Sequence, residues 1–525
     1  MEDVDICREI ISLFFSSSPV RDIRECTIEV CRRYRAPRVP RNSEILASAT
    51  PEERKVLRSI LLVKPTRTLS GVAPIAVMTS PAPCPHGKCL PCPGGPDHPF
   101  ASPQSYTGEE PAALRGRDHA YDPYTQVHDR VGQFEALGHH AGKAELIVMG
   151  GTITARDAGY QEWFVRECVR AMNDYPAEKA DFSTDPEMEP VALANESARV
   201  RCVAITFETR PDWCGKEHID RMLSLGVTKV ELGVQHTDDR ILEYNRRGCL
   251  SADTVLANRH LRDAGLKVGF HVMPNLPGST IEKDREMFRE IFANPDFRPD
   301  FLKIYPTLVT PGSEIERLWK EGRYEPYLEN EMVGLIAYAK SILPEYVRLQ
   351  RIQRDIPAKL IVAGSRHSNF RQLAEERLRA EGKRCRCIRC REIGRSPAVS
   401  EMEDGMITYD CCGGIEHFIS VVSDDSLVGF ARLRLPGELF RQELGDAALL
   451  RELHVYGSLV PVGAGAGEGE HQHRNVGNRL LARTEEVAAR AGYRQVAVMS
   501  GIGVRPYYLR HGYERRGPYM IRKLP

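Results

Sequence analysis

The run Ile75-Ala76-Val77-Met78-Thr79-Ser80-Pro81-Ala82-Pro83-Cys84-Pro85-His86-Gly87-Lys88-Cys89-Leu90-Pro91-Cys92-Pro93-Gly94-Gly95 decides how the rest of the chain is read. Its first four residues are an apolar, strand-like run. The prolines and glycines that follow exclude helix and ladder and leave a stiff open loop. Three cysteines, Cys84, Cys89 and Cys92, lie on that loop within nine residues, so their sulfurs can converge on one point. Three thiolates on a four-iron cluster leave one iron without a protein ligand, whereas electron-transfer clusters take four cysteines. An open iron can hold a small molecule, and the spacing is not the paired C-x-x-C of structural zinc. The competing reading is a zinc knuckle completed by His86 or His98.

Outward from the loop, short apolar runs alternate with helical stretches. The runs are 75–78, 146–149, 203–207, 230–234, 268–272, 302–305 and 346–349. Strands at that interval, with helices between them, predict βαβ units and a parallel sheet, here a partial barrel of six such units. In barrels of this kind the chemistry gathers on loops after the C-terminal ends of the strands. The cysteine loop follows the first run, Gly150-Gly151 the second, Glu208 the third, Gln235 the fourth and Met273-Pro274-Asn275 the fifth. Motif position and strand order therefore agree on where a site lies.

A chain of 525 residues exceeds what one core supports and predicts two or three domains. The division read here is a helical, basic N-terminal segment 1–68, a barrel 69–370, a zinc-type linker 371–414 and a second α/β domain 415–525. No apolar run approaches the ~20 residues that span a bilayer. The start, Met1-Glu2-Asp3-Val4-Asp5, is acidic where a secretory signal is basic. A cytoplasmic protein without membrane attachment is expected. Fifteen cysteines in such a chain point to metal or redox use rather than disulfides.

The net charge is zero, so composition is silent about nucleic acid, but distribution is not. Residues 21–41 hold seven arginines, among them Arg32, Arg33, Arg35, Arg38 and Arg41, against three acids. Residues 371–391 carry eight basic side chains against three acids. Local surpluses like these suit a phosphate backbone, and two solvated helix faces are the alternative. The second surplus includes Cys385, Cys387 and Cys390, three ligands of a zinc site that lacks a fourth. His367, Cys411 or Cys412 can complete it, and a second iron–sulfur cluster is the rival.

Taken in order, these segments resemble the Elongator catalytic subunit family, whose members join a radical S-adenosylmethionine (SAM) domain to a GNAT-type acetyltransferase domain. The likeness runs through Gln104–Gly108, Tyr121-Asp122-Pro123, Met149-Gly150-Gly151, Phe207–Asp212, Glu231–Gln235, His271–Gly278, Glu452–Gly457 and Gly517–Met520. The resemblance implies that Cys84, Cys89 and Cys92 bind a [4Fe-4S] cluster, that Gly150 and Gly151 admit SAM to the backbone, and that Glu208 and Gln235 contact it. It also implies acetyl-CoA near Lys143. In the GNAT-like part, Glu452, Leu453, His454 and Val455 form the splayed strand. Residues 472–477, with Val476, Gly477 and Asn478 opening a helix at 476–491, form the phosphate loop. Tyr507 and Tyr508 resemble the tyrosine pair that closes such a site, with Tyr508 the catalytic one. Where the family pattern Q-x-x-G-x-G has glycine this chain has Asn475, a residue that tolerates a left-handed backbone.

The activity implied is formation of 5-carboxymethyluridine at the wobble uridine of transfer RNA, with Arg348, Arg351 and Arg354 facing RNA phosphate. Two alternatives stand beside it. One is a protein-lysine acetyltransferase with a structural iron–sulfur domain, using Glu452 as base; the other is an RNA-binding scaffold. A homodimer and partner subunits of Elongator type are left open.

Overall fold

The computed structural model describes residues 5–17, 21–62, 71–97, 101–178, 187–367, 369–393, 401–456 and 471–525, with backbone alone for 59 and 471–474. The segment 463–469 and His98 lie outside the described residues.

Ala73, Ile75 and Val77 alternate into the interior, and the segment Ala73–Met78 extends as β1. Six more strands repeat the pattern: β2 (Lys143–Met149), β3 (Arg201–Thr209), β4 (Lys229–Gln235), β5 (Lys267–Val272), β6 (Phe301–Ile304) and β7 (Arg348–Ile352). They pair in sequence order, β1 through β7, and every neighbour is parallel. Parallel pairing requires a crossover each time, and helices such as Ala158–Asp174 and Ile281–Ala293 supply it. The result is the open, partial barrel expected from the strand spacing.

Charged side chains interrupt the barrel interior. Glu145 on β2, Lys229 and Glu231 on β4, and Lys303 on β6 form a column. Lys229 Nζ lies 2.6 Å from Glu145 and 3.4 Å from Glu231, and Lys303 bonds Glu231 and stands 3.6 Å from Glu208. Burial alone would raise the Glu231 carboxyl, but Lys303 and then Lys229 outweigh it and hold the group well below the usual range.

A second sheet holds β8 (Glu403–Cys411), β9 (Gly414–Ser423), β10 (Ser426–Leu435), β11 (Ala447–Val455), β12 (Gln495–Val498), β13 (Glu514–Arg516) and β14 (Tyr519–Lys523). Its order is β13-β14-β12-β11-β10-β9-β8. β11 and β12 are its parallel pair, and their register stops at Leu450 with Val498. From Arg451 onward β11 pairs with β10 alone, so the two strands splay as the GNAT likeness implies. β8 falls inside the stretch expected to be linker. Its exposed, alternating edge pattern carries too few apolar residues to announce a strand, and the second sheet begins at Glu403 rather than after 414.

The second sheet docks on the N-terminal rim of the barrel through buried ions. Arg262, at the end of the helix Ser251–Asp263, reaches Asp300 at 3.3 Å and Glu416 at 3.1 Å. Arg451 reaches the same two acids at 2.8 Å each, and Arg434 joins Asp263 at 2.7 Å. All six side chains are essentially inaccessible. Such a network is worth little against an apolar replacement, yet losing one member strands a buried charge. It therefore fixes how the two sheets sit.

The N-terminal helices Ile6–Ser16, Ile23–Arg33, Asn42–Ala47 and Pro51–Leu61 keep a small core of their own, around Ile10, Phe14, Cys26, Val30 and Leu57. Asp5, Asp22 and Thr50 cap three of them. No helix among the described residues is long and apolar enough to cross a membrane.

Candidate active site

A cavity opens at the C-terminal rim of the barrel. The loop after β1 forms one wall and is pinned from both sides. Leu90 donates to the Asn245 carbonyl at 3.2 Å and accepts from Ile315 at 3.0 Å. Cys84, Cys89 and Cys92 all line the cavity. Cys92 Sγ accepts from Gln104 at 3.5 Å, and Arg247 Nη1 lies 3.9 Å from Cys89 Sγ. Burial pushes the Cys89 thiol up to about 11, with the Arg247 guanidinium opposing it, and raises Cys84 as well. His86 sits between two thiols, 3.0 Å from each of Cys84 and Cys89.

Sulfur spacing separates a cluster from a single ion. Zinc bonds of about 2.3 Å draw tetrahedral sulfurs to roughly 3.8 Å from one another. Cys385, Cys387 and Cys390 meet that demand, with all three sulfurs within 4.8 Å. Cys84, Cys89 and Cys92 are not among the described groups gathered so tightly, a spread that suits a larger inorganic body.

Opposite the cysteines, Gly150 and Gly151 follow β2 with φ of +128° and +99°. A Cβ on Gly150 would meet Thr79 Oγ1 at 2.1 Å, and one on Gly151 would meet Gln104 Cβ at 2.9 Å. Neither position has room for a side chain, and Gly151 lines the cavity together with the cysteines. Gln235 ends β4 with φ of +69°, and its buried side-chain oxygen has no partner among the described residues. Glu208 accepts from the Tyr106 hydroxyl at 2.7 Å, an interaction that, after burial, raises the phenol well above its usual value. Thiols, bare backbone and an orphaned amide facing one cavity suit a cluster with SAM upon it.

The GNAT-like residues gather at the other rim. Lys143, at the start of β2, pairs in register with Arg201, and Arg201 Cβ stands 2.6 Å from where a Cβ on Gly503 would be. The rim remote from the cysteines is therefore the one the second sheet occupies. Burial there lowers the Lys143 ammonium. Glu452 is held by Arg432 at 2.8 Å, and burial pushes His454 down to about 4. Leu453 and Val455 complete the diverging end of β11.

The long helix runs His471–Arg490. Asn475, Val476 and Gly477 are already helical, so Asn475 is not called on for a left-handed backbone. Tyr507 places its hydroxyl 3.3 Å from the Cβ position of Gly477, and Asn478 accepts or donates with His511 at 2.9 Å. Tyr508 turns into the core, 5% exposed, with its ring against Tyr513. Of the two tyrosines, Tyr507 is the one beside the long helix at Gly477.

Two expectations need correcting. Arg348 does not face phosphate: its guanidinium is bound to Glu392 and the Tyr456 hydroxyl, each at 2.7 Å, and ties β7 to the second sheet. None of the suggested fourth zinc ligands comes to the trio. His367 pairs with Glu329 at 2.9 Å, and the sulfurs of Cys411 and Cys412 lie at the carbonyls of residues 296–298. The trio's neighbours are instead Lys340, 3.7 Å from Cys390 Sγ, and Glu375, which Lys340 holds at 3.0 Å. The other arginines stand as follows. Arg351 pairs with Asp355, and Arg354 bonds the Ser105 carbonyl and covers Tyr106, both at the cavity mouth. Arg33 and Arg38 pair with Glu29 and Glu44, while Arg32, Arg35 and Arg41 lie along or just beyond the second helix.

Sequence reasoning gave no role to Glu231, His271, Arg247 or Lys303. The available signal was charge inside strands whose other residues are apolar, as in Lys229-Val230-Glu231-Leu232.

The comparisons with known proteins agree with this geometry. The Radical SAM superfamily matches residues 84–291, the Radical_SAM C-terminal domain 299–380 and the ELP3 N-terminal domain 4–69. The barrel is thus a radical SAM domain, a class that implies a [4Fe-4S] cluster and SAM. A tRNA uridine(34) acetyltransferase of Methanocaldococcus jannaschii is 48% identical over 493 residues, 92% of this chain and 90% of its own. Elongator complex protein 3 of Homo sapiens is 38% identical over 537 residues, 99% and 96% of the two chains. The solved structure of archaeal Methanocaldococcus infernus Elp3 with an N-terminal deletion matches with a TM-score of 0.74 at 41% identity, covering 87% of this chain and 100% of that one. The chain belongs to the Elongator complex protein 3, or tRNA uridine(34) acetyltransferase, family.

Proposed function

We propose that this protein makes 5-carboxymethyluridine at the wobble uridine of transfer RNA, taking the two-carbon unit from acetyl-CoA. The observation that carries the reading is one cavity lined by the three cysteines, Gly151 and the Glu208–Glu231–His271 group. The relatives' name supplies the substrate class. When bound, the cluster and SAM supply a 5′-deoxyadenosyl radical able to take a hydrogen atom from the unactivated acetyl methyl, and accept one electron back at the end. The methyl carbon then bonds to C5 of the uracil ring, and thioester hydrolysis leaves the carboxymethyl group.

The chain's own residues hold the parts. Cys84, Cys89 and Cys92 ligate the cluster, and Gly150, Gly151, Glu208 and Gln235 seat SAM. The main chain of 452–455 and the early turns of the long helix at Val476, Gly477 and Asn478, with Lys143 and Tyr507 beside them, hold acetyl-CoA. Arg32, Arg33, Arg35, Arg38 and Arg41, with Arg351 and Arg354 at the cavity mouth, draw in the RNA backbone. Cys385, Cys387 and Cys390 hold a zinc ion that clips β7 to the second sheet. Cys387 bears directly on that clip, since the Ile388 amide after it bonds the Val347 carbonyl at 3.0 Å and the Ile393 amide bonds Leu427 at 2.9 Å.

The protein-lysine acetyltransferase reading needs Glu452 free as a general base, and Arg432 occupies that carboxylate. The deciding experiment incubates anaerobic protein with transfer RNA, SAM, acetyl-CoA and a reductant, then weighs the digested nucleosides. Carboxymethyluridine that depends on SAM supports the proposal. Acetylated protein formed without SAM, or RNA binding with no 5′-deoxyadenosine, overturns it.

A further inference from the structure

We infer that His271 is the base that accepts the C5 proton of the uracil ring, an assignment that rests on the function proposed above. Bonding a carbon at C5 leaves that atom tetrahedral, with its hydrogen still attached and an unpaired electron next door at C6. To restore the ring, the C5–H bond breaks heterolytically. Its proton leaves to a base, two electrons form the C5–C6 double bond, and the third returns to the oxidised iron–sulfur cofactor. SAM is then the net two-electron oxidant, and no further reagent is needed. The ring cannot lose that proton efficiently without a positioned acceptor.

His271, the penultimate residue of β5, lines the cavity that the cluster cysteines line. Its Nε2 bonds Glu231 Oε2 at 3.0 Å, and its ring meets Tyr305 edge-on at 5.3 Å. Nδ1 has no protein partner among the described residues, and the side chain keeps 12% of its surface exposed. A carboxylate that fixes one imidazole nitrogen while the other faces a substrate cavity is the arrangement of an oriented general base.

The other candidate acceptors are engaged. Glu231 is shared by Lys303, Lys229 and His271, and Glu208 by Tyr106 and Lys303. Glu110 caps the amides of Thr107 and Gly108, and Asp355 is paired with Arg351. Within the column, Glu145, Glu208 and Glu231 face two ammonium groups, Lys229 and Lys303, so a proton arriving on His271 is electrostatically compensated. The same lysines deny the Glu208–Glu231–His271 group to a metal ion, because Lys303 already stands among the ligand atoms.

The test compares the wild type with His271→Ala and His271→Gln; the glutamine can still donate to Glu231 but is no base. Carboxymethyluridine formed per 5′-deoxyadenosine should fall by about 10²-fold or more in both variants, the usual contribution of a general base. Tritium release from [5-³H]uridine-labelled transfer RNA should fall in step, while cluster absorbance and SAM binding persist. Added imidazole should restore part of the ratio in the alanine variant. An unchanged ratio overturns the assignment. So does an equal loss of both products, which would mean that the ring serves SAM or the fold. A wild type that makes no carboxymethyluridine at all would instead sink the proposed function.

Discussion

Cys84, Cys89 and Cys92 lie four and two residues apart on a proline-stiffened loop, whereas Cys385, Cys387 and Cys390 lie one and two apart where a short helix begins. Tight spacing on a helix start gathers the second set of sulfurs within 4.8 Å of one another, close enough for one ion to be held. Wide spacing on a stiff loop keeps the first set apart and turns it toward a cavity. Surroundings sharpen the contrast. The first trio meets Arg247, Gln104 and an open chamber that Gly151 lines, while the second meets the Lys340–Glu375 pair and the seam between two sheets. On the proposed function, the same residue type serves reactivity in one place and attachment in the other.

Exchanging serine for one cysteine of each trio breaks the comparison most directly. Cys89→Ser should lower 5′-deoxyadenosine formation by more than about 10³-fold, equivalent to about 4 kcal/mol of barrier, and remove iron while leaving zinc. Cys387→Ser should do the reverse: zinc is lost, and the chain loses about 3 kcal/mol of stability in urea. If iron and zinc contents change together in both variants, the two trios are not separate sites.

A smaller effect tests the glycine that lines the cavity of the first trio. Gly151→Ala places a Cβ 2.9 Å from Gln104 at a φ of +99°. Strain of about 1–3 kcal/mol is usual for such a position, so SAM affinity measured by equilibrium dialysis should drop about tenfold or more, with zinc content unchanged. An alanine variant that binds SAM normally would show that Gly151 has no part in binding.

The smallest expected effect separates both metal sites from the N-terminal helices, which hold no trio. Glu44 and Glu53 are held down to about 2, chiefly by hydrogen bonds from Arg38 and Arg8. Groups with depressed values contribute stability above their unfolded value of 4.5 and lose it as pH falls toward 2. Protection of the amides in Ile6–Ser16, Asn42–Ala47 and Pro51–Leu61, taken relative to the unfolded chain, should therefore fall as pH is lowered between those limits, modestly because both pairs are solvent-facing. Protection that is flat across that window would remove the two pairs as contributors.

Much of this architecture was legible before any coordinates. Strand spacing marked the seven barrel strands, and the cysteine loop and the Gly150–Gly151 pair marked the rim that carries the cavity. Edge strand β8 was not legible, because a strand exposed on one face and pairing on one side needs few apolar residues. Arg348 misled for a related reason: an arginine on a strand end reads as exposed until its partners, Glu392 and Tyr456, arrive from 44 and 108 residues away. The fourth-ligand candidates His367, Cys411 and Cys412 failed likewise, since closeness along the chain does not measure closeness in space.

By itself the amino-acid order settled what is local: which segments extend or coil, where prolines hold thiols in a rigid bend, and which bare glycines follow a strand. Only the folded chain decided which charges meet. Arg262, Asp300, Glu416 and Arg451, and likewise Lys303, Glu231 and His271, come from distant segments. Their ionic contacts depend on separations of a few ångströms in a low-dielectric interior, which no one-dimensional pattern encodes.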